Sequence, residues 1–128
     1  MPDAAVKDVR KLPHSMLPKK YRLADRRIFR RALGRGARVD GDFFVLSVLA
    51  GLGEEELKVG VIISTKISKK AVVRNRIRRI LYDSVRAVLN KIPRKSVLVF
   101  LAKKSAAGAE KEEIIKDVGQ ILARMNIQ

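Results

Sequence analysis

Apolar residues recur at two spacings along this chain, and the switches between them mark out its elements. From Asp25 onward, Ile28, Phe29, Ala32 and Leu33 follow the step of one helix face, with Asp25 able to cap the start and Gly34 or Gly36 to end it. Phe43 to Leu49 is an apolar run of strand length behind the turn pair Asp40-Gly41, and a short strand at Arg35 to Val39 would complete a hairpin. After the polar loop Gly51 to Glu56, the Val- and Ile-rich run Leu57 to Thr65 predicts a third strand. Ala71 to about Asn90 places Val73, Ile77, Ile80, Leu81 and Val88 on one side of a helical projection, and Pro93 stops it. Ser96 to Leu101 reads as a buried strand, and Glu110 to Met125 closes the chain with Ile114, Val118, Ile121, Leu122 and Met125 on one stripe.

The order helix, three strands, helix, strand, helix predicts an α+β domain over residues 17–128, a four-stranded sheet with three helices packed on it. Residues 1–16 hold two prolines and no sustained periodicity, which predicts a flexible N-terminal tail.

Composition adds a sign to this picture. The chain has 128 residues, 47% of them hydrophobic, enough for one real core. Lys and Arg number 29 against 13 Asp and Glu, a net charge of +16 whose field would concentrate polyanions at the surface. Nucleic acid fits better than a membrane, because no long basic amphipathic helix carries bulky apolar anchors. Apolar runs such as Val45 to Leu52 fall far short of the ~18 to 20 residues that span a bilayer. Cysteine is absent, which removes disulfides, zinc fingers and thiol nucleophiles together, and Met1 to His14 has no apolar stretch of the kind found in secretory signals. A cytoplasmic location is the expectation.

The charge is concentrated in Lys66-Ile67-Ser68-Lys69-Lys70-Ala71-Val72-Val73-Arg74-Asn75-Arg76-Ile77-Arg78-Arg79, which holds seven cations and no acid. With Ile77 at the centre of the apolar seam, Asn75, Arg78, Arg79, Tyr82 and Arg86 point away from it, while Arg74 and Arg76 flank it. Lys69 and Lys70 precede the helix, where free backbone N–H groups and the macrodipole already favour an anion. Guanidinium forks can grip phosphate oxygens in pairs or stack on a base, and Asn75 offers a donor and an acceptor to a base edge or a sugar hydroxyl. A basic helix face is often only a solvated surface; this motif already favours binding, and the excess charge of the whole chain strengthens the reading toward structured RNA.

Lys69 to Arg79, with its Arg-Asn-Arg triplet followed by further cations, resembles the signature of the ribonuclease P protein component. Leu17-Pro18, Arg22-Leu23, Phe29, Gly36, Phe44-Val45-Leu46 and Val59-Gly60 stand at the spacings of that family, so the resemblance runs from about Leu17 to the last helix. It implies an endoribonuclease built as a ribonucleoprotein, in which a large RNA subunit, using bound Mg²⁺, removes the 5′ leader of precursor tRNA while the protein assists. It implies further that Lys69, Lys70, Arg74, Asn75, Arg76, Arg78 and Arg79 face the catalytic RNA. A cleft between the first helix and the sheet, with Phe29, Leu33, Phe43, Ser47 and Lys66, would hold the single-stranded leader. The family fold carries a left-handed β-α-β crossover, as in the second domain of the fifth small-subunit ribosomal protein, which general handedness rules do not predict.

The cleft has a physical basis of its own: Phe43, Val45 and Ser47 share one strand face while Phe44 and Leu46 share the other, so one of the paired phenylalanines is expected to face away from the main core, the alternative being that Phe29, Phe43 and Phe44 are all simply core residues. An exposed ring on a basic surface stacks a base whatever its identity. Where relatives place aromatics in the cleft this chain has Leu33 and Ser47, which shifts the expected stacking toward Phe43; where they have Lys-Lys after a Ser it has Ser64-Thr65-Lys66.

The protein's own side chains offer little chemistry. His14 is the single histidine, so a Ser-His or paired-His site cannot be assembled. The acids at Glu54 to Glu56 and Glu110 to Glu113 with Asp117 suit helix capping and loop solvation better than metal binding, and no protein-bound cofactor or metal is expected. Gly34-Arg35-Gly36 and Gly51-Leu52-Gly53 lack the phosphate-loop pattern and read as turns. Catalytic RNA and precursor tRNA are the expected partners, with neither DNA nor membrane among them; a ribosomal or ribosome-associated RNA-binding protein and a self-sufficient nuclease are the competing readings.

Overall fold

A computed structural model of the chain describes residues 17–50, 57–92 and 96–127, and shows helix α1 (Arg26–Arg35), strands β1 (Ala37–Asp40), β2 (Phe44–Ala50) and β3 (Lys58–Ile62), helix α2 (Ala71–Ala87), strand β4 (Ser96–Ala102) and helix α3 (Lys111–Ile127). The predicted tail, the Gly51 to Glu56 loop and the Pro93 stop lie outside the described residues. No described helix is long and apolar enough to cross a membrane.

The sheet order is β1-β2-β4-β3. β1 and β4 both run antiparallel to β2, and β3 pairs parallel with β4, so α2 connects two adjacent parallel strands. Cross-strand partners share a face. On one face, Phe44, Leu46, Val59, Leu98 and Phe100 meet Ile77, Ile80, Leu81 and Val85 of α2 and Ile114, Val118, Ile121 and Leu122 of α3. Phe44 and Phe100 pack edge to face there, centroids 6.2 Å apart. On the other face, Val97 and Val99 are covered by Leu23 and by Ala32, Ile28 and Phe29 of α1. The helices therefore sandwich the sheet, two on one side and one on the other.

Local chemistry accounts for the ends. Asp25 caps α1, its Oδ1 accepting from the Arg27 N–H at 2.9 Å, and Gly36 follows the last turn. α2 ends at Ala87, short of the predicted Asn90, because the chain tightens into a 3₁₀ turn over Leu89–Lys91. Glu113 Oε1 accepts from the Glu110 N–H at 2.9 Å, half of a capping box at the start of α3.

α1 can sit close to the sheet because β3 has Gly60 at the crossing, where a Cβ atom would run into the Phe29 ring and approach Leu23 Cβ to 3.2 Å. The β1–β2 turn is held from the opposite face. Asp117 of α3, 2% exposed, accepts from the N–H groups of Asp42 at 2.7 Å, Phe43 at 2.9 Å and Phe44 at 3.2 Å. Gly41 leaves room for it, since a Cβ there would stand 2.7 Å from Asp117 Oδ1. Asp117, grouped by sequence with the surface acids, is thus the buried clasp between the last helix and the hairpin.

Candidate nucleic-acid interface

The basic segment opens with a turn after β3 and enters α2 without a side-chain cap: Lys70 is the N-cap residue, and no acid lies in the first turn. The Ser68 hydroxyl accepts from the Lys70 N–H at 3.2 Å and orders the approach. Lys66, Lys69 and Lys70 are exposed, so cations surround a helix end that is already electropositive.

Along α2 the arginines divide into two kinds. Arg74 and Arg76 are half-buried beside the seam and each fixes one Nη1 on a backbone carbonyl, Arg74 on Ser68 at 2.8 Å and Arg76 on Ala109 at 3.2 Å. A guanidinium has five N–H donors, so both remain able to bind phosphate from a fixed position. Asn75 and Arg79 are exposed, and Arg78 donates to Asn75 Oδ1 at 2.9 Å. The sole acid of the helix, Asp83, is paired with Arg86. The seven residues assigned to RNA therefore lie along one turn-and-helix stretch, with Arg74 and Arg76 anchored and the others reaching outward.

One contributor was not legible locally. Arg22, in a bridge to Val59 beside β3, comes close enough to Tyr82 of α2 that its charge acts on the phenol. Burial raises the Tyr82 pKa above 10.0, while the Arg78 and Arg22 charges pull it down. Arg22 Nε is buried and has no acceptor among the described residues. Nearby on β3, Lys58 Nζ donates to the Lys20 carbonyl at 2.7 Å, and Lys20 stands 5.0 Å from the Tyr21 ring centroid. Of this segment, Arg22 thus adds its charge beside α2.

The second predicted site comes together only in part. Phe29 lies on the α1 side of the sheet, half-buried over Gly60, with Leu33 exposed on the same helix and Ser47 buried in β2. Phe43 does not join them. It precedes β2, so the alternation of the strand does not reach it; its N–H is drawn to Asp117 and its ring packs against the core beneath α2 and α3. Neither Phe43 nor Phe44 faces α1, which leaves Phe29 as the aromatic of that side. Lys66 is exposed in the turn beyond β3.

The sequence profile of the family described as Ribonuclease P matches residues 17–126. The ribonuclease P protein component of Acidothermus cellulolyticus is 34% identical over 111 residues, covering 86% of this chain and 92% of its own length; that of Picosynechococcus is 32% identical, covering 87% and 95%. Among solved structures, the RNase P protein of Staphylococcus aureus aligns with a TM-score of 0.77 over 84% of this chain and 96% of its own, at 20% identity. The RNase P protein of Thermotoga maritima gives 0.71 over 80% and 96%, at 21% identity. With the uncapped cationic helix, the mixed sheet and this coverage in agreement, the chain belongs to the ribonuclease P protein component family.

Proposed function

We propose that the chain works in the cytoplasm as the protein subunit of ribonuclease P, in which Lys69, Lys70, Arg74, Asn75, Arg76, Arg78 and Arg79 hold the catalytic RNA. The observation that carries this reading is the start of α2, where lysines, an uncapped helix end and backbone-anchored Arg74 and Arg76 converge with no acid among them. Such a surface neutralises phosphates that repel one another, and it does so from side chains already held in place. Hydrolysis belongs to the RNA subunit and its Mg²⁺; the protein lowers the amount of Mg²⁺ needed by supplying fixed cations. The leader of precursor tRNA runs on the α1 side of the sheet, against Phe29, Leu33 and Lys66, with Phe29 as the stacking ring; Ser47, buried in β2, is not available to it.

Cleavage of a precursor tRNA by the cognate catalytic RNA at low Mg²⁺, with and without this protein, tests the reading. The protein should restore leader removal that the RNA alone performs poorly. Identical rates with and without it, or cleavage by the protein alone, would overturn the assignment.

A further inference from the structure

The arginines of α1 have no part in either surface above. Arg26, Arg27 and Arg30 lie on the side of the helix opposite Ala32, Arg31 on its flank, and all four are exposed, the Arg27 side chain to 90%. Arg35 and, on β1, Arg38 extend the patch. Among the described residues a single ion pair touches it, the 3.8 Å approach of Arg27 Nε to Asp25. Arg26 and Arg30, Arg27 and Arg31, and Arg31 and Arg35 are like-charge neighbours one turn apart, an arrangement that destabilises a helix. Arg26 and Arg27 also stand in the first turn, where the macrodipole disfavours cations and the N-cap Asp25 is the one acid opposing four arginines. The like-charge neighbours cost the free protein stability, and an anionic partner offsets that cost.

We infer that the outward face of α1 is a second RNA-binding surface, which seats the phosphate backbone of a base-paired stem while α2 holds another RNA segment. This deepens the reading of the chain as an RNA-binding subunit, and makes it a bridge between two pieces of RNA. The stem follows from what the face lacks. The exposed positions of α1 are Arg26, Arg27, Arg30, Arg31, Leu33, Gly34 and Arg35, with no aromatic ring to stack an unpaired base and no Asn or Gln to read a base edge. Gly34 leaves the surface open, with nothing within 4 Å of where its Cβ would be. Two stems can be held at once because α1 and α2 lie on opposite faces of the sheet. The intervening layers, each roughly 10 Å thick, separate the two cationic faces by more than the ~8 Å over which charges act in physiological salt, so neither occupant repels the other strongly.

The test uses the full chain at physiological salt and two short RNA hairpins, one carrying a donor dye and the other an acceptor. The wild-type protein should bring the two hairpins together, giving energy transfer at one protein per hairpin pair, with sedimentation confirming one protein and two hairpins per complex. Replacing Arg26, Arg27, Arg30 and Arg31 with Gln should abolish transfer while one hairpin stays bound, and the melting temperature of the free variant should rise, because repulsion is removed. Saturation of the wild-type protein at one hairpin, or undiminished transfer with the Gln variant, would overturn the inference. Failure to stimulate precursor tRNA cleavage, with bridging intact, would sink the ribonuclease P reading alone.

Discussion

α2 and α3 are both 17 residues long and pack side by side on one face of the sheet, yet their charges are arranged in opposite ways. α3 has Glu112 and Glu113 in its first turn, a Glu113 carboxylate reaching back to the Glu110 N–H, and Arg124 near its end, all in accord with the helix dipole. α2 begins on Lys70 without a side-chain cap, carries five arginines against one aspartate and has no acid in its first turn. Their buried stripes are alike; their ends and outer faces differ. A helix arranged to hold itself together looks like α3, and one whose charges fit an external polyanion looks like α2.

The largest expected effect falls on the helix built for stability. Asp117→Ala leaves the N–H groups of Asp42, Phe43 and Phe44 without their acceptor and unclasps α3 from the hairpin. Three bonds to a buried carboxylate should make this cost about 4 kcal/mol, read as a fall in melting temperature of roughly 15 °C. Asp117→Asn, which keeps one acceptor oxygen, should lose about half as much. A loss below about 1 kcal/mol in the Ala variant would show that the hairpin is held by packing alone.

On α2 the same logic predicts the reverse: little loss of fold, large loss of binding. Arg74→Ala with Arg76→Ala should weaken RNA binding and flatten its salt dependence by ~0.7 to 0.9 in log–log slope for each phosphate contact removed, while Arg124→Ala on α3 leaves both unchanged. Equal slopes for the two variants would erase the difference between the helices. A smaller test converts one helix toward the other. Lys70→Asp supplies the missing cap and an acid at the positive end, so it should stabilise the free protein by about 1 kcal/mol while weakening RNA binding. Should stability fall instead, the loop into α2 is shaped by Lys70 in a way its end charges do not describe.

Much of the fold was legible because it is written locally. Asp25 and Gly36 bracket α1, Gly41 opens the turn between β1 and β2, and the predicted stripes of α2 and α3 contain the apolar residues found buried except Val85. The basic interface was legible for the same reason, being one contiguous stretch. What was not legible depends on distant partners. Asp117 looks like a surface acid until the hairpin, more than 70 residues earlier, is folded against it. Arg22 gives no sign in sequence that it will meet Tyr82. Phe43 was placed by strand alternation, which holds only inside a strand, and the chain enters β2 one residue later.

Tyr82 gives the smallest test, and it bears on the same contrast because the phenol sits where α2 meets the N-terminal segment. Burial raises its pKa in the folded protein above the ordinary 10.0, with the opposing pull of Arg78 and Arg22 too weak to cancel it. At neutral pH the phenol is protonated in both folded and unfolded chains, so ionisation contributes nothing to stability there. Above about pH 10 the unfolded chain releases the proton while the folded one retains it, and stability must fall as pH rises. Tyr82→Phe removes this loss, so the difference in stability between wild type and variant should be flat up to about pH 10 and then move steadily in favour of the variant. A difference moving in favour of the wild type would mean that Arg22 and Arg78 stabilise a phenolate, making this corner of α2 an anion site of the protein's own before any RNA arrives.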